Sequence, residues 1–112
     1  MIETEESLLD AVTAVSGSGP AYIYLFLRAL IDAGVGQGLR REQAETLAFQ
    51  TMAGGLTMAR TSGKTLDELI AAVSSKGGTT VAALESFQKD GFVQSVSHAV
   101  DAAAKRAREL SE

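Results

Sequence analysis

Pro20-Ala21-Tyr22-Ile23-Tyr24-Leu25-Phe26-Leu27-Arg28-Ala29-Leu30-Ile31-Asp32-Ala33 decides the fold, because it is helical in spacing and apolar almost all the way round, with only Arg28 and Asp32 charged. Proline's fixed φ and missing N–H suit the first residue of a helix, so a helix is expected from Pro20 to about Gly34 or Gly38. A helix with no polar face must be covered on every side. The chain has 112 residues, enough for one core and too few to wrap a central helix easily. Two covers remain open, the rest of the same chain or a second copy. The second is the more economical and predicts an obligate two-fold dimer. The densest part, Ala21 to Leu27, is too short and too closely followed by charge to span a bilayer, so no membrane is expected.

On the N-terminal side, Glu5 to Val15 carries Leu8, Leu9, Val12 and Val15 and reads as a helical or extended lead-in. It should break at Ser16-Gly17-Ser18-Gly19, where two glycines precede Pro20. On the C-terminal side, Gly34, Gly36 and Gly38 read as helix breakers, and Arg41 to Thr61 as a second long helix with Ala44, Leu47, Ala48, Met52, Leu56 and Ala59 near helical spacing. Gly54-Gly55 in its middle costs about 1 kcal/mol per glycine relative to alanine. Either another helix backbone approaches closely there or the helix kinks.

Ser62-Gly63-Lys64 is a turn, and Thr65-Leu66-Asp67-Glu68 is a capping box opening a helix to about Val73. Val81, Leu84 and Phe87 mark a short helix from Thr80 to about Lys89, which Gly91 ends. Phe92 to Leu110 is the last helix, with Phe92, Val96, Ala99, Val100, Ala103, Ala107 and Leu110 on one stripe. The fold class is all-α, with about five or six helices in a single domain over residues 1–112.

Between two of these helices lies Val73-Ser74-Ser75-Lys76-Gly77-Gly78-Thr79-Thr80. Paired glycines allow the backbone to approach a ligand, and Thr79 or Thr80 would cap the next helix. Loop N–H groups and a helix dipole would then converge on one point, suited to a carboxylate or phosphate. A plain helix–turn–helix corner fits the same spacing.

Composition removes several function classes. The net charge is −4 and the only basic cluster is Lys105, Arg106 and Arg108 at a helix end, which argues against nucleic acid as a partner. Cysteine is absent and His98 is the only histidine, so there is no disulfide framework, no thiol nucleophile and almost no material for a transition-metal site. His98 reads as a surface residue, and Tyr22 and Tyr24 as core residues whose hydroxyls find partners. The acidic N-terminus has no signal-peptide pattern, and the chain is expected to be cytoplasmic. Ser16-Gly17-Ser18-Gly19 lacks the Gly-Lys-Ser/Thr ending of a phosphate loop, and Tyr22 stands where a dinucleotide fingerprint needs its third glycine.

Two stretches together are more specific than either alone. Ala11-Val12-Thr13-Ala14-Val15-Ser16-Gly17-Ser18-Gly19-Pro20-Ala21-Tyr22 and Leu69-Ile70-Ala71-Ala72-Val73-Ser74-Ser75-Lys76-Gly77-Gly78-Thr79-Thr80-Val81-Ala82-Ala83-Leu84-Glu85 resemble the start and the signature segment of the C-terminal domain of pyrroline-5-carboxylate reductases. Their separation matches too, as do Ala33-Gly34-Val35 and Gly38-Leu39 between them, and the resemblance runs roughly from Leu9 to Leu110. It implies an interlocked helical dimerisation domain like the C-terminal domain of 6-phosphogluconate-dehydrogenase-like enzymes. It also implies a homodimer, or a higher oligomer built from it, and a small imino acid substrate. The NAD(P)H cofactor would be bound by an N-terminal Rossmann domain that this sequence does not contain.

Residue by residue, the resemblance implies that Ser75, Gly77, Gly78 and Thr79 hold the substrate carboxylate, with Ser16 and Gly17 near the same pocket. Thr80 would lie by the substrate ring nitrogen as the catalytic residue. Val73 and Ser74 would lie at the nicotinamide end of the cofactor. Lys76 is a departure, since many members carry proline there; lysine loosens the loop but adds a cation near an anionic substrate. The expectation is a chain inactive alone, with no tightly bound cofactor, being an excised domain or a truncated reading frame. A non-enzymatic assembly module that has lost its cofactor domain is the alternative, and a related imine or β-hydroxyacid dehydrogenase a third reading.

Overall fold

The computed structural model describes residues 2–75 and 78–112, and these are helical apart from short connections. In order they form α1 (Ile2–Val12), a π-helical turn (Thr13–Gly17), α2 (Gly19–Gly36), α3 (Arg41–Thr61), α4 (Leu66–Ser74), α5 (Gly78–Lys89) and α6 (Phe92–Ser111). The all-α expectation therefore holds. Thr65 opens α4 as anticipated: its Oγ1 accepts from the Glu68 N–H at 3.1 Å while Glu68 Oε1 accepts from the Thr65 N–H at 2.8 Å. Gly91 ends the preceding helix in the left-handed region at φ 72°, where a side chain would be strained.

The lead-in takes the helical of the two forms the sequence left open. Contrary to expectation, the glycines do not break it, because the path from Ser7 to Gly36 continues as a 30-residue helical run. α2 accordingly starts at Gly19, with Pro20 second in it. Within an α-helix, a proline ring collides with the carbonyl four residues back, here that of Ser16. The backbone relieves this by widening into the π turn, where the Ser18 N–H reaches five residues back to the Thr13 carbonyl at 2.9 Å. This run is long and apolar enough to meet the length and composition expected of a membrane span, contrary to the reading of Ala21 to Leu27 alone. Core helices of water-soluble proteins meet the same criterion.

The chain divides into two compact units, one formed by Met1–Tyr24 with Glu85–Glu112 and the other by Leu25–Leu84. In the first, α6 packs against α1 and the π turn, burying Ala14, and Phe87 and Phe92 meet across the α5–α6 turn with ring centroids 4.9 Å apart. In the second, Ile31 of α2 packs on Ala44 and Ala48 of α3, flanked by Leu27 and Val35. Gly34 was expected to break the helix, but it lies within α2 and is small for a packing reason. A Cβ there would sit 3.3 Å from Ala44 Cβ and 3.4 Å from Leu39 Cδ1. An ion pair between Arg41 Nη2 and Asp32 Oδ1 at 2.9 Å ties the same two helices.

Ile31 is the largest of the buried side chains, the others among the described residues being alanines. Ile31→Ala is expected to lower the unfolding free energy by about 2–5 kcal/mol, read as a shift in the urea midpoint at constant slope.

That core is thin. The 11.7 kDa chain exposes 8866 Å² of surface, against roughly 5,900 Å² expected for one compact monomer and about 7,100 Å² for two separate bodies of half its mass. Much of the excess is apolar: Ile23, Tyr24 and Leu25 on α2, Phe49, Leu56 and Met58 on α3, and Val73 on α4 stand open. Burial of the apolar helix within the monomer, one of the two covers the sequence allowed, is not what the structure shows. Around Gly54 and Gly55, nothing outside their own stretch of α3 lies within 4 Å of an added Cβ, so no other helix backbone among the described residues approaches them.

Candidate functional site

The predicted loop residues gather where α4 ends and α5 begins. α4 is nine residues long, about two and a half turns, and closes at Ser74, with Ser75 capping it through its N–H to the Ala71 carbonyl at 3.0 Å. The Ser74 hydroxyl donates to the Ile70 carbonyl at 2.7 Å and the Ser75 hydroxyl to the Ala72 carbonyl at 3.1 Å. Both hydroxyl protons are thus engaged within α4, while the oxygens keep lone pairs for an incoming donor. Val73 projects an exposed apolar side chain beside them, and Ser74 is half-buried.

Lys76 and Gly77 lie outside the described residues, and with them one predicted substrate contact and the one departure from the family pattern. α5 begins at Gly78, two residues earlier than the sequence suggested. Thr79 and Thr80 consequently occupy its first turn and do not cap it. Glycine's freedom lets the helix start before the threonines that would otherwise compete to cap it. The consequence for chemistry is favourable: the N–H groups of Gly78, Thr79 and Thr80 belong to the turn whose amides have no acceptor within the helix. They stand at the positive end of the α5 dipole, which suits an anion. Gly78 and Thr79 are exposed and Thr80 is half-buried.

Ser16 and Gly17 belong to the other compact unit, in the π turn, and both are exposed. Pro20 has no N–H with which to satisfy the Ser16 carbonyl in helical fashion. The Tyr22 hydroxyl donates to the Ala14 carbonyl at 2.6 Å, eight residues back. A buried tyrosine was expected to find a partner, but the partner is legible only once the π turn is known. Tyr24 does not join the core and is 68% exposed. His98 is exposed, as anticipated. A concavity of about 310 Å³ between α2 and α3, lined by Leu30, Leu39, Leu47 and Thr51 among others, holds no charged side chain and reads as uncovered core surface.

Comparison with known proteins gives a consistent answer. The family described as pyrroline-5-carboxylate reductase dimerisation matches residues 6–110. A pyrroline-5-carboxylate reductase of Pisum sativum is 50% identical over 109 residues, covering 97% of this chain and 40% of that protein. One of Pseudomonas aeruginosa is 49% identical over 108 residues, covering 96% of this chain and 40% of that protein. The crystal structure of Plasmodium falciparum pyrroline carboxylate reductase with NADP bound superposes with a TM-score of 0.91 at 40% identity, covering 95% of this chain and 40% of that one. The chain thus spans about 40% of the length of the relatives it matches. With its helical order, α4 followed by α5, and a match over nearly all its length, the chain belongs to the pyrroline-5-carboxylate reductase dimerisation family.

Proposed function

We propose that this chain is the dimerisation and substrate-binding part of a pyrroline-5-carboxylate reductase, which reduces 1-pyrroline-5-carboxylate to L-proline with NAD(P)H. The observation that carries the reading is the α4–α5 junction inside a family match over residues 6–110. There the first-turn amides of α5 converge on a point suited to the substrate carboxylate.

In this reading Gly78 and Thr79 hold the carboxylate through backbone N–H groups, with Ser75 and Gly77 beside them, and Ser16 and Gly17 are a second substrate-contacting segment. The Thr80 hydroxyl hydrogen-bonds the ring nitrogen, which gains a proton as the imine carbon is reduced. When bound, the dihydronicotinamide supplies the hydride. Exposed Val73 at the end of α4 fits the flat ring of that group, and Ser74 follows it. The described residues are helices joined by short connections and hold no strand, so they offer the pyrophosphate no glycine-rich strand-to-helix turn, and a separate dinucleotide-binding domain carries the rest of the cofactor. The chain alone is inactive.

A second copy covers the exposed apolar faces, which the surface excess and the all-round apolar α2 both support. The acidic, cysteine-free composition supports a cytoplasmic, metal-free protein that does not bind nucleic acid.

The test joins this chain behind the dinucleotide-binding domain of the Pseudomonas aeruginosa relative. NAD(P)H oxidation that depends on pyrroline-5-carboxylate is the expected result. A folded, dimeric chimera with no such oxidation would overturn the enzymatic reading in favour of an assembly module, and preference for another imine or acid would overturn the substrate.

A further inference from the structure

We infer that Tyr22 is a positioning residue, whose hydroxyl latches the π turn Thr13–Gly17 in the open form that presents the Ser16 and Gly17 backbone. Three observations converge. Pro20 makes a regular α-helical path through Ser16 impossible without a clash. The Ser18 N–H, which an α-helix would give to Ala14, goes to Thr13 at 2.9 Å. The Ala14 carbonyl is then met by the half-buried Tyr22 hydroxyl at 2.6 Å.

Ala14 is fully buried, so its carbonyl group sits where water offers little replacement for a lost donor. The latch therefore holds the register of the turn, and its loss leaves a buried acceptor unpaired. A π turn is a single inserted residue in the helical path, and without the latch it can migrate or close by one residue. Such a shift would re-aim Ser16 and Gly17 while leaving α1 and α6 in place. The functional half of this inference rests on the substrate-pocket reading given above; the latch itself does not.

The experiment is Tyr22→Phe, which keeps the ring and removes only the hydroxyl, with Pro20→Ala as a second variant that removes the need for the turn. In the full chain, amide hydrogen exchange at Ser18 and Gly19 is expected to accelerate at least about tenfold in Tyr22→Phe, with α6 amides unchanged. In the chimeric enzyme, the KM for the imino acid is expected to rise about five- to tenfold while the KM for NAD(P)H stays put. Pro20→Ala should move the KM in the same direction through a different atom. Unchanged exchange at Ser18 in Tyr22→Phe would overturn the latch. Faster exchange with both KM values unchanged would overturn its positioning role. If the parent chimera reduces no imino acid, the proposed function fails, and the exchange at Ser18 still decides the latch.

Discussion

Leu25→Asp is expected to raise the dissociation constant of the dimer at least about a thousandfold, read by sedimentation equilibrium of the chain. Leu25 lies on α2, is 57% exposed in a single chain, and is flanked by exposed Ile23 and Tyr24. Burying a leucine against a partner stabilises by about 1.5–3 kcal/mol, and an aspartate forgoes that gain. Stripping water from an unpaired carboxylate costs at least as much again. The sum, about 3–6 kcal/mol per chain and present in both chains of the pair, exceeds the roughly 4 kcal/mol of the stated factor at about 1.4 kcal/mol per decade. The parent chain is expected to sediment as a dimer or larger species at micromolar concentration. A stable parent monomer would remove the premise, because the exposed area would then have no cover.

Thr80→Ala in the chimeric enzyme is expected to lower kcat by about ten- to a hundredfold, with the KM for NAD(P)H unchanged and most activity restored by Thr80→Ser. The reasoning is differential. A hydroxyl that hydrogen-bonds the ring nitrogen matters more once that nitrogen takes up a proton than in the ground state. Thr80 is half-buried in the first turn of α5, so its loss leaves the helix start and its amides in place. Steady-state kinetics on the three proteins decides it, and turnover equal to the parent in Thr80→Ala would strip the residue of its role.

Much of this was legible in the residues. The Thr65–Glu68 capping box, the turn at Gly91 and the apolar stripe of α6 rest on interactions within a few positions of sequence, and all three appear as read. The need for a partner was legible too, because an all-round apolar α2 admits few alternatives. The π turn was not. Pro20 reads as a helix start when the preceding residues are taken for a loop, and as an obstacle when they are helical. Which applies depends on α6 packing against that segment from the far end of the chain. Gly34 was misread for a similar reason: its smallness answers Ala44 on another helix, which spacing within α2 does not reveal. At the candidate site, the residue set came from motif resemblance. The start of α5 at Gly78 and the inward hydroxyl bonds of Ser74 and Ser75 required the backbone.

The thin core has a thermal consequence. Unfolding an ordinary domain of this length releases a heat capacity of about 1.5 kcal/mol/K, most of it from apolar surface newly exposed to water. A single chain with Ile31 as its largest buried side chain has little such surface left to expose. In the proposed dimer the curvature of stability with temperature therefore belongs to the contact between chains. Because apolar contacts weaken on cooling, chilling is expected to loosen that association.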